Sequence, residues 1–253
     1  MTIDIVTIFP EFFAGPFQYG ILRRAQAAGL LRIDIHDLRQ FATDRHRTVD
    51  DRPFGGEEGM VLKPEPLFQA VEQIREQRGE AGRTILLSAQ GKLFRQPLAA
   101  ELAREGSLLL LCGRYEGVDE RVAEYLATEE ISIGDFVLSG GEVAAAVVAD
   151  AVARLLPGAL GNEASVMRES FAAPEGQTGV GLLDCPHYTR PGRFRDWTVP
   201  EVLLSGDHRR IAQWRRRKAL EKTWRNRPEL VNEAMLDEEQ RQWWAEIKGE
   251  QAS

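Results

Sequence analysis

The chain has 253 residues, 43% of them hydrophobic and 28% charged, which is typical of a soluble globular protein with one large or two smaller domains. No stretch approaches the roughly 18–20 apolar residues of a membrane span, and the N-terminus predicts a strand rather than a targeting leader. The two cysteines lie far apart, which argues against a structural zinc site and fits a reducing, cytoplasmic location.

The net charge of −7 is unevenly distributed along the chain. Between Arg209 and Arg227 the chain carries nine basic residues and one acidic residue, so the remainder is strongly acidic. A cationic segment on an acidic body predicts a local contact with a polyanion such as a nucleic acid. A solvated helix face is the other interpretation, and charge alone does not separate the two.

The first part of the chain alternates between strand-like and helix-like segments. Short apolar runs predict buried strands, and apolar residues at helical spacing predict helices. The alternation predicts an α/β domain with a mainly parallel sheet. In chain order the predicted elements are strand Ile3–Phe9, helix Pro16–Ala28, strand Leu31–His36, loop Arg45–Met60, helix Pro66–Gln77, strand Thr84–Ser88, helix Pro97–Arg104, strand Ser107–Cys112, helix Val118–Leu126, strand Glu130–Ile133 and helix Val143–Leu156.

The chain changes character near Pro157, where a segment rich in Gly, Pro and polar residues begins. All five tryptophans follow residue 196, in a part of the chain with helical periodicity. For Trp214 and Trp224 we expect packing in a small core rather than stacking on bases. The expected organisation is a domain over 1–160, a linker over 161–197 and a helical domain over 198–253.

Glycines cluster where three predicted strands end, in Ala89–Gly91, Gly113–Arg121 and Gly134–Glu142. The carboxyl ends of parallel strands meet at one edge of a sheet, and glycine lets the backbone approach a ligand closely. The three loops together favour a ligand crevice, although each alone fits an ordinary turn. The first strand is not followed by G-x-G-x-x-G, which argues against a Rossmann site. The sequence also lacks a P-loop, typical of nucleotide hydrolysis, and a G-x-S-x-G elbow, typical of serine hydrolases.

The sequence is similar to the bacterial tRNA (guanine-N1)-methyltransferases of the SPOUT class. Six strings in family order carry the similarity: RHRTVDDRPFGG (Arg45–Gly56), CGRYEGVDERV (Cys112–Val122), SIGDFVLSGGE (Ser132–Glu142), LLDCPHYTRP ending at Pro191, VPEVLLSGDH (Val199–His208) and NRPELV (Asn226–Val231).

The resemblance implies a SPOUT-type parallel sheet with a deep trefoil knot, followed by a small all-α domain that binds tRNA. It implies methyl transfer from S-adenosylmethionine to N1 of the guanine 3′ of the anticodon. It also implies an obligate homodimer with the active site at the interface, and no membrane association. The family chemistry is associated with a divalent ion, magnesium, although no carboxylate cluster in the sequence indicates a site for it.

Two residue sets follow from the matching motifs. The implied cofactor-binding residues are Leu87, Ser88, Gly113, Tyr115, Glu116, Ser132, Ile133, Gly134, Asp135, Phe136, Val137, Leu138, Gly140 and Gly141. The implied tRNA-binding residues are Arg45, His46, Asp50, Arg52, Asp184, His187, Tyr188 and Arg190. Arg215 and Arg217 are added because they belong to the basic segment, where we expect contacts to phosphates.

For catalysis the resemblance implies a carboxylate that takes the N1 proton and an arginine, Arg154, near O6 of the guanine. The family's base is usually an aspartate, whereas this chain has Glu169, with Asp184 as the alternative carboxylate. Arg168 beside Glu169 would weaken it as a base, and the segment Ala172–Gly181 is longer than usual. The open alternatives are a knotted methyltransferase for another RNA and a tRNA- and cofactor-binding protein without turnover.

Overall fold

The structure is a computed structural model that describes residues 1–56, 58–79, 82–160, 169–172 and 180–251. The chain divides into two compact units, Met1–Gly161 and Asn162–Ser253. Among the described helices, none combines the length and the apolar character needed to cross a bilayer.

The first unit contains a five-stranded sheet in which every pair of neighbouring strands is parallel. The strands of this unit are β1 (Thr2–Thr7), β2 (Arg32–Asp37), β3 (Asp50–Asp51), β4 (Val61–Leu62), β5 (Arg83–Leu93), β6 (Ser107–Cys112) and β7 (Glu129–Ser132). The large sheet has the order β2-β1-β6-β5-β7, and β3 pairs with β4 in a separate antiparallel ladder. The predicted α/β class with a parallel sheet is therefore confirmed.

Helices cover both faces of this sheet. They are α1 (Gly20–Ala27), α2 (Pro64–Arg78), α3 (Gln96–Leu102), α4 (Glu120–Tyr125) and α5 (Glu142–Ala153), with 3-10 turns at Pro10–Ala14, Pro16–Gln18 and Leu38–Phe41. The leucines of β6 pack on both faces of the sheet. Leu108 and Leu110 pack with α1, α3 and α5, whereas Leu109 and Leu111 pack with α2 and α4. Alternate side chains of a strand point to opposite faces, and here both faces are buried.

Three predicted elements differ from the structure. The predicted loop Arg45–Met60 contains β3, which pairs with β4. The predicted helix Pro16–Ala28 is interrupted, because Tyr19 is extended and Gly20, the first residue of α1, has a positive φ of 59°. The predicted strand Thr84–Ser88 continues to Leu93, and its pairing with β7 shifts in register. Gly91 consequently lies within a strand, where a Cβ would come 2.4 Å from the Ile131 nitrogen, so the prediction of a glycine loop after Ser88 was wrong.

The described part of the second unit is mostly helical. It contains α6 (Glu201–Leu204), α7 (His208–Asn226), α8 (Glu238–Gln251), 3-10 turns at Pro228–Leu230 and Glu233–Met235, and an antiparallel pair of β8 (Arg193–Phe194) with β9 (Trp197–Thr198). Leu220, Leu236, Trp244 and Ile247 form its core, and Trp224 meets Trp244 edge-on at 4.8 Å. The expected core packing of Trp224 is thus confirmed. Of the predicted linker, residues 161–168 and 173–179 lie outside the described residues.

A buried carboxylate joins β1 to its neighbours. Asp4 is 2% exposed, and its Oδ1 lies 2.7 Å from His36 Nε2 and 2.8 Å from Arg78 Nη2. Burial alone would raise the pKa of Asp4, but hydrogen bonds from His36 and Arg78 outweigh it and hold the pKa below its ordinary value of 3.8. The contribution of Asp4 to stability is therefore present above pH 3.8 and is lost as the pH falls through the lower pKa of the folded state.

We predict that Asp4→Asn lowers the free energy of unfolding near neutral pH by about 2 kcal/mol, because Arg78 loses a charged acceptor. The difference between wild type and variant should shrink as the pH is lowered below the ordinary carboxyl pKa. Urea unfolding at a series of pH values measures both effects, and a difference that stays constant down to strongly acid pH would contradict this role.

Candidate active site

A crevice of about 300 Å³ lies in the first unit, at the carboxyl ends of β6 and β7 and beside residues 86–90 in the middle of β5. This volume is at the lower end of the roughly 300–1,000 Å³ of small-ligand sites. All but one of the predicted cofactor-binding residues line it, namely Leu87, Ser88, Gly113, Tyr115, Glu116, Ser132, Ile133, Gly134, Phe136, Val137, Leu138, Gly140 and Gly141. The exception, Asp135, is exposed and does not line the crevice.

Two loops form most of the crevice wall, the β6 loop (residues 113–119) and the β7 loop (residues 133–141). Gly141 donates a backbone hydrogen bond of 2.9 Å to the Gly113 carbonyl, and an isolated antiparallel bridge joins Arg114 to Gly140. A Cβ on Gly141 would lie 2.7 Å from the Cys112 Cα, and a Cβ on Gly140 would lie 2.2 Å from Arg114 Nε. Glycine at both positions therefore lets the two loops touch.

A buried ion pair reinforces the contact between these loops. Glu142, at the start of α5, is 1% exposed and accepts hydrogen bonds from Thr7 Oγ1 at 2.7 Å and Arg114 Nε at 3.1 Å. The Arg114 guanidinium also lies 4.6 Å from the ring centroid of Phe9. Burial and the Glu142 carboxylate together raise the pKa of the Cys112 thiol well above its ordinary value, so the thiol stays neutral.

The β6 loop is also held from its other side. Glu116 donates its backbone N–H to the Met60 carbonyl at 3.0 Å, and Leu62 of β4 forms a bridge with Val118. The Glu116 side chain lies against Gly59, where a Cβ would come within 2.4 Å of Glu116 Cγ. Tyr115 has a φ of 61°, a left-handed conformation that non-glycine residues rarely adopt. The loop is thus fixed on both sides rather than free.

These contacts connect the crevice to the predicted tRNA loop. Asp50 belongs to β3, which pairs with β4, the same strand that contacts the β6 loop. Asp44 accepts backbone hydrogen bonds from His46 at 2.7 Å and Thr48 at 2.9 Å, and these bonds shape the exposed turn that also contains Arg45. Arg52 is exposed as well, so this loop presents its basic side chains to solvent beside the crevice wall.

The second unit contains a groove of about 860 Å³ formed by the segment Pro186–Gly192 together with α6 and α7. Four of the predicted tRNA-binding residues line it: His187, Tyr188, Arg190 and Arg215. Arg215 is exposed and forms no ion pair with any residue that the structure describes. Trp214 is half-buried, and its ring lies 6.3 Å from that of Tyr188. Unlike Trp224, it is not part of the core cluster, so the expected core packing of Trp214 is not confirmed.

Asp184 is hydrogen-bonded within the same segment. Its carboxylate lies 2.8 Å from His187 Nε2 and accepts the Cys185 backbone N–H at 2.6 Å. Partial burial would raise the pKa of Asp184, but the hydrogen bonds from His187 and Cys185 outweigh it and hold the pKa below its ordinary value. A carboxylate with a lowered pKa is a weaker base, so Asp184 is less suited to accept a proton than an ordinary carboxylate.

Glu169 lies in the second unit, next to the Asp184 segment. Ser170 Oγ accepts the Asp184 backbone N–H at 2.9 Å, and Phe171 pairs with Leu182 and Gly181 through backbone hydrogen bonds of 2.9 and 3.1 Å. The two candidate carboxylates therefore belong to one local assembly. Arg154 lies in the first unit, half-buried at the C-terminal end of α5. Two predicted features bear on Glu169: the neighbouring cation of Arg168 and the longer segment Ala172–Gly181. The structure does not describe Arg168 or residues 173–179 of that segment.

The basic segment is partly neutralised by the α8 region. Arg216 forms ion pairs with Asp237 and Glu239, and Arg217 lies 3.1 Å from Glu221 and 2.9 Å from Glu246. Because these arginines are already paired with carboxylates, the basic segment offers less positive charge to phosphates than its number of basic residues implies. Arg217 was predicted to bind tRNA on charge alone, and its two acidic partners make it a weaker candidate than Arg215.

Sequence reasoning did not select Glu142, Arg114 or Thr7 as part of the site. Glu142 follows the glycine string SIGDFVLSGG and is the one acidic residue in the first turn of α5. That pattern is typical of an exposed residue at a helix N-terminus. Its burial depends on β1, which is more than a hundred residues earlier in the chain, and no local signal in the sequence indicates this contact.

Comparison with known proteins decides the family. The family described as tRNA (Guanine-1)-methyltransferase TrmD matches residues 1–233 of this chain. The chain belongs to the TrmD family. It is 56% identical over 260 residues to the tRNA (guanine-N(1)-)-methyltransferase of Koribacter versatilis, covering 98% of each chain, and 54% identical to that of Pelotomaculum thermopropionicum, covering 98% and 96%.

A solved TrmD-like structure supports the same assignment. The tRNA (m1G37) methyltransferase from Aquifex aeolicus matches with a TM-score of 0.72 and 38% identity, over 90% of this chain and 93% of that one. The resemblance identified from the motifs is therefore confirmed at the level of family and fold.

We predict that Gly141→Ala weakens binding of S-adenosylmethionine at least tenfold and destabilises the chain by about 1–3 kcal/mol, because the new methyl group forces the two loops apart. Gly106→Ala is the matched control, since a Cβ at Gly106 meets no atom within 4 Å. Calorimetric titration and thermal unfolding of both variants measure the effects. If the two variants bind S-adenosylmethionine equally well and unfold at the same temperature, the close contact between the loops is contradicted.

Proposed function

We propose that this chain transfers a methyl group from S-adenosylmethionine to N1 of guanine 37 in tRNA, the base 3′ of the anticodon. The Koribacter relative is named a tRNA (guanine-N(1)-)-methyltransferase, and the Aquifex structure is that of a tRNA (m1G37) methyltransferase. The observation that carries the proposal is that the family's glycine-bearing motifs meet in one crevice in this chain. The proposal includes a deep trefoil knot in the first unit and a tRNA-binding role for the helical second unit.

The crevice has the features that S-adenosylmethionine requires. Its walls are main chain at Gly113, Gly140 and Gly141, which leaves room for a flat base and offers peptide groups for hydrogen bonds. Phe136 and Leu138 are 54% and 37% exposed and provide apolar surface for the adenosine. When bound, S-adenosylmethionine supplies a methyl group on a positively charged sulfur.

Glu169 is the proposed general base. N1 of guanine carries a proton at neutral pH, so that proton must leave as N1 attacks the methyl carbon. The N1 electron pair would form the new carbon–nitrogen bond, the electron pair of the carbon–sulfur bond would stay on sulfur as a neutral thioether leaves, and the proton would pass to the Glu169 carboxylate. The lowered pKa of Asp184 supports this assignment, because the alternative carboxylate binds a proton more weakly than usual. Through Ser170, Asp184 instead positions the segment that carries Glu169.

Arg154 is proposed to stabilise the charge that develops on the guanine. As N1 loses its proton, negative charge spreads to O6, and a guanidinium can donate two hydrogen bonds to such an oxygen. Arg154 follows the last turn of α5, at the end opposite Glu142 and the crevice wall, so its proposed role rests on the family resemblance.

Among the described residues, the one side-chain group that could hold a metal ion does not suit magnesium. This group consists of Asp184, Cys185 and His187, whose ligand atoms lie within 4.8 Å of one another. Magnesium prefers six oxygen ligands, and this group offers a single carboxylate with a thiol and an imidazole. The proposed mechanism therefore has no step that uses a metal ion.

We also propose that the enzyme is a cytoplasmic homodimer with its active site at the interface. Val143 and Val147 support this, because they lie one turn apart on α5 and are 44% and 42% exposed. Val137 in the β7 loop is 90% exposed and adds to the apolar surface that a partner subunit would bury.

We predict that Glu169→Gln lowers kcat for methylation of unmodified tRNA about 100-fold while the affinity for S-adenosylmethionine is unchanged, because only proton removal is lost. Glu169→Asp restores the usual residue of the family and should retain most of the activity. Single-turnover transfer of a labelled methyl group measures both variants. Full activity of Glu169→Gln would contradict the assignment, and no transfer by wild type would contradict the proposed function.

For tRNA binding we predict that Arg215→Ala reduces the slope of log Kd against log salt by about one, as expected for one lost phosphate contact. Arg217→Ala should reduce the slope by less than half of this, because its partners Glu221 and Glu246 already neutralise it. Fluorescence anisotropy with labelled tRNA at several salt concentrations gives the slopes. Equal slopes for both variants would contradict the inference drawn from the ion pairs.

A further inference from the structure

The β8–β9 hairpin displays aromatic side chains that the core does not use. Phe194 and Trp197 are 57% and 65% exposed, and their ring centroids are 6.1 Å apart with planes inclined at 37°. The guanidinium carbon of Arg195 lies 5.3 Å from the Phe194 centroid and 5.8 Å from the Trp197 centroid. Exposed apolar area of this kind is unfavourable in water, and neighbouring aromatic rings with a cation are typical of a binding surface.

The hairpin holds these rings in a fixed arrangement. Val199 donates its backbone N–H to the Gly192 carbonyl at 2.9 Å, which closes the base of the hairpin. At the tip, Arg193 Nε donates to the Arg195 carbonyl at 3.0 Å, and Arg195 has a left-handed φ of 55°. A ligand that stacks on the rings therefore meets a surface that is already ordered.

The charge around the rings is mainly positive. Arg193 and Arg195 flank Phe194, and Asp196 is the one acidic residue of the hairpin, 3.6 Å from Arg193. The base of the hairpin is also continuous with the groove, because Gly192 and Val199 line both. Aromatic rings, basic side chains and continuity with the proposed tRNA groove together favour an RNA ligand over an apolar protein surface.

We propose that the β8–β9 hairpin is a stacking platform for unpaired nucleobases of the bound tRNA, next to the groove that holds its phosphates. This inference rests on the proposed function and adds a specificity surface to it. Bases in a duplex are covered by their neighbours, whereas bases in a loop expose a face that an aromatic ring can cover. The hairpin therefore contributes to selection of single-stranded RNA at the anticodon loop rather than to binding of the stem.

The test uses the full-length chain with Trp197→Ala, Phe194→Ala and the conservative variant Trp197→Phe. Tyr125→Ala is the matched control, because Tyr125 is 74% exposed and lies at the end of α4 that leads to the amino end of β7, away from the crevice edge. Dissociation constants are measured for an anticodon stem-loop and for a fully paired duplex with the same stem. Sedimentation gives the oligomeric state of every variant.

We expect Trp197→Ala and Phe194→Ala each to weaken stem-loop binding about tenfold and to leave duplex binding unchanged, since stacking on one base has an effect of this size. Trp197→Phe should stay within about twofold of wild type because it keeps a ring. Equal losses for stem-loop and duplex, or no loss for either, would overturn the stacking platform while wild-type methylation still supports the proposed function. A variant that dissociates to monomers would show that the hairpin binds another subunit instead. If wild type binds no tRNA, both proposals fail.

Discussion

The contact between the β6 and β7 loops is the constraint on which the rest of the site depends. Glu142 is buried and accepts hydrogen bonds from both Thr7 and Arg114, so one carboxylate joins β1, the β6 loop and the start of α5. A buried charge is tolerated only where it is paired and hydrogen-bonded, and here both carboxylate oxygens have a partner. Because Gly140 and Gly141 have no side chain, this ion pair can bring two backbone segments together and form a crevice wall made of peptide groups.

The two units offer different candidate binding surfaces. In the first unit, the crevice is small and lined by main chain and apolar side chains, which suits a single small molecule. In the second unit, the groove is open and flanked by Arg190 and Arg215, which suits a polyanion. Acidic residues of α8 pair with Arg216 and Arg217 and so reduce the positive charge that these side chains offer to a polyanion. Arg215 stays exposed. A chain with net negative charge can therefore still bind RNA at a restricted place.

The sequence predicted the α/β class and the parallel sheet, because short apolar runs are local signals. The residues that line the crevice were predicted from the resemblance to the family motifs. It did not predict that β5 extends to Leu93 or that Gly91 packs against β7, since both follow from pairing with a strand some forty residues later. The burial of Glu142 was missed for the same reason. Asp135 was included because its whole motif was taken as a unit, although it is exposed and does not line the crevice.

Hydrogen–deuterium exchange of the ligand-free chain, comparing wild type with Glu142→Ala, tests the central claim most directly. If the buried carboxylate holds the loops together, the variant exchanges faster at the Gly141 amide and across both loops, 113–119 and 133–141, while β1 and β6 keep their protection. If faster exchange is confined to the first turn of α5 and both loops exchange as in wild type, the loops are held by something other than Glu142, and this account of the site is wrong.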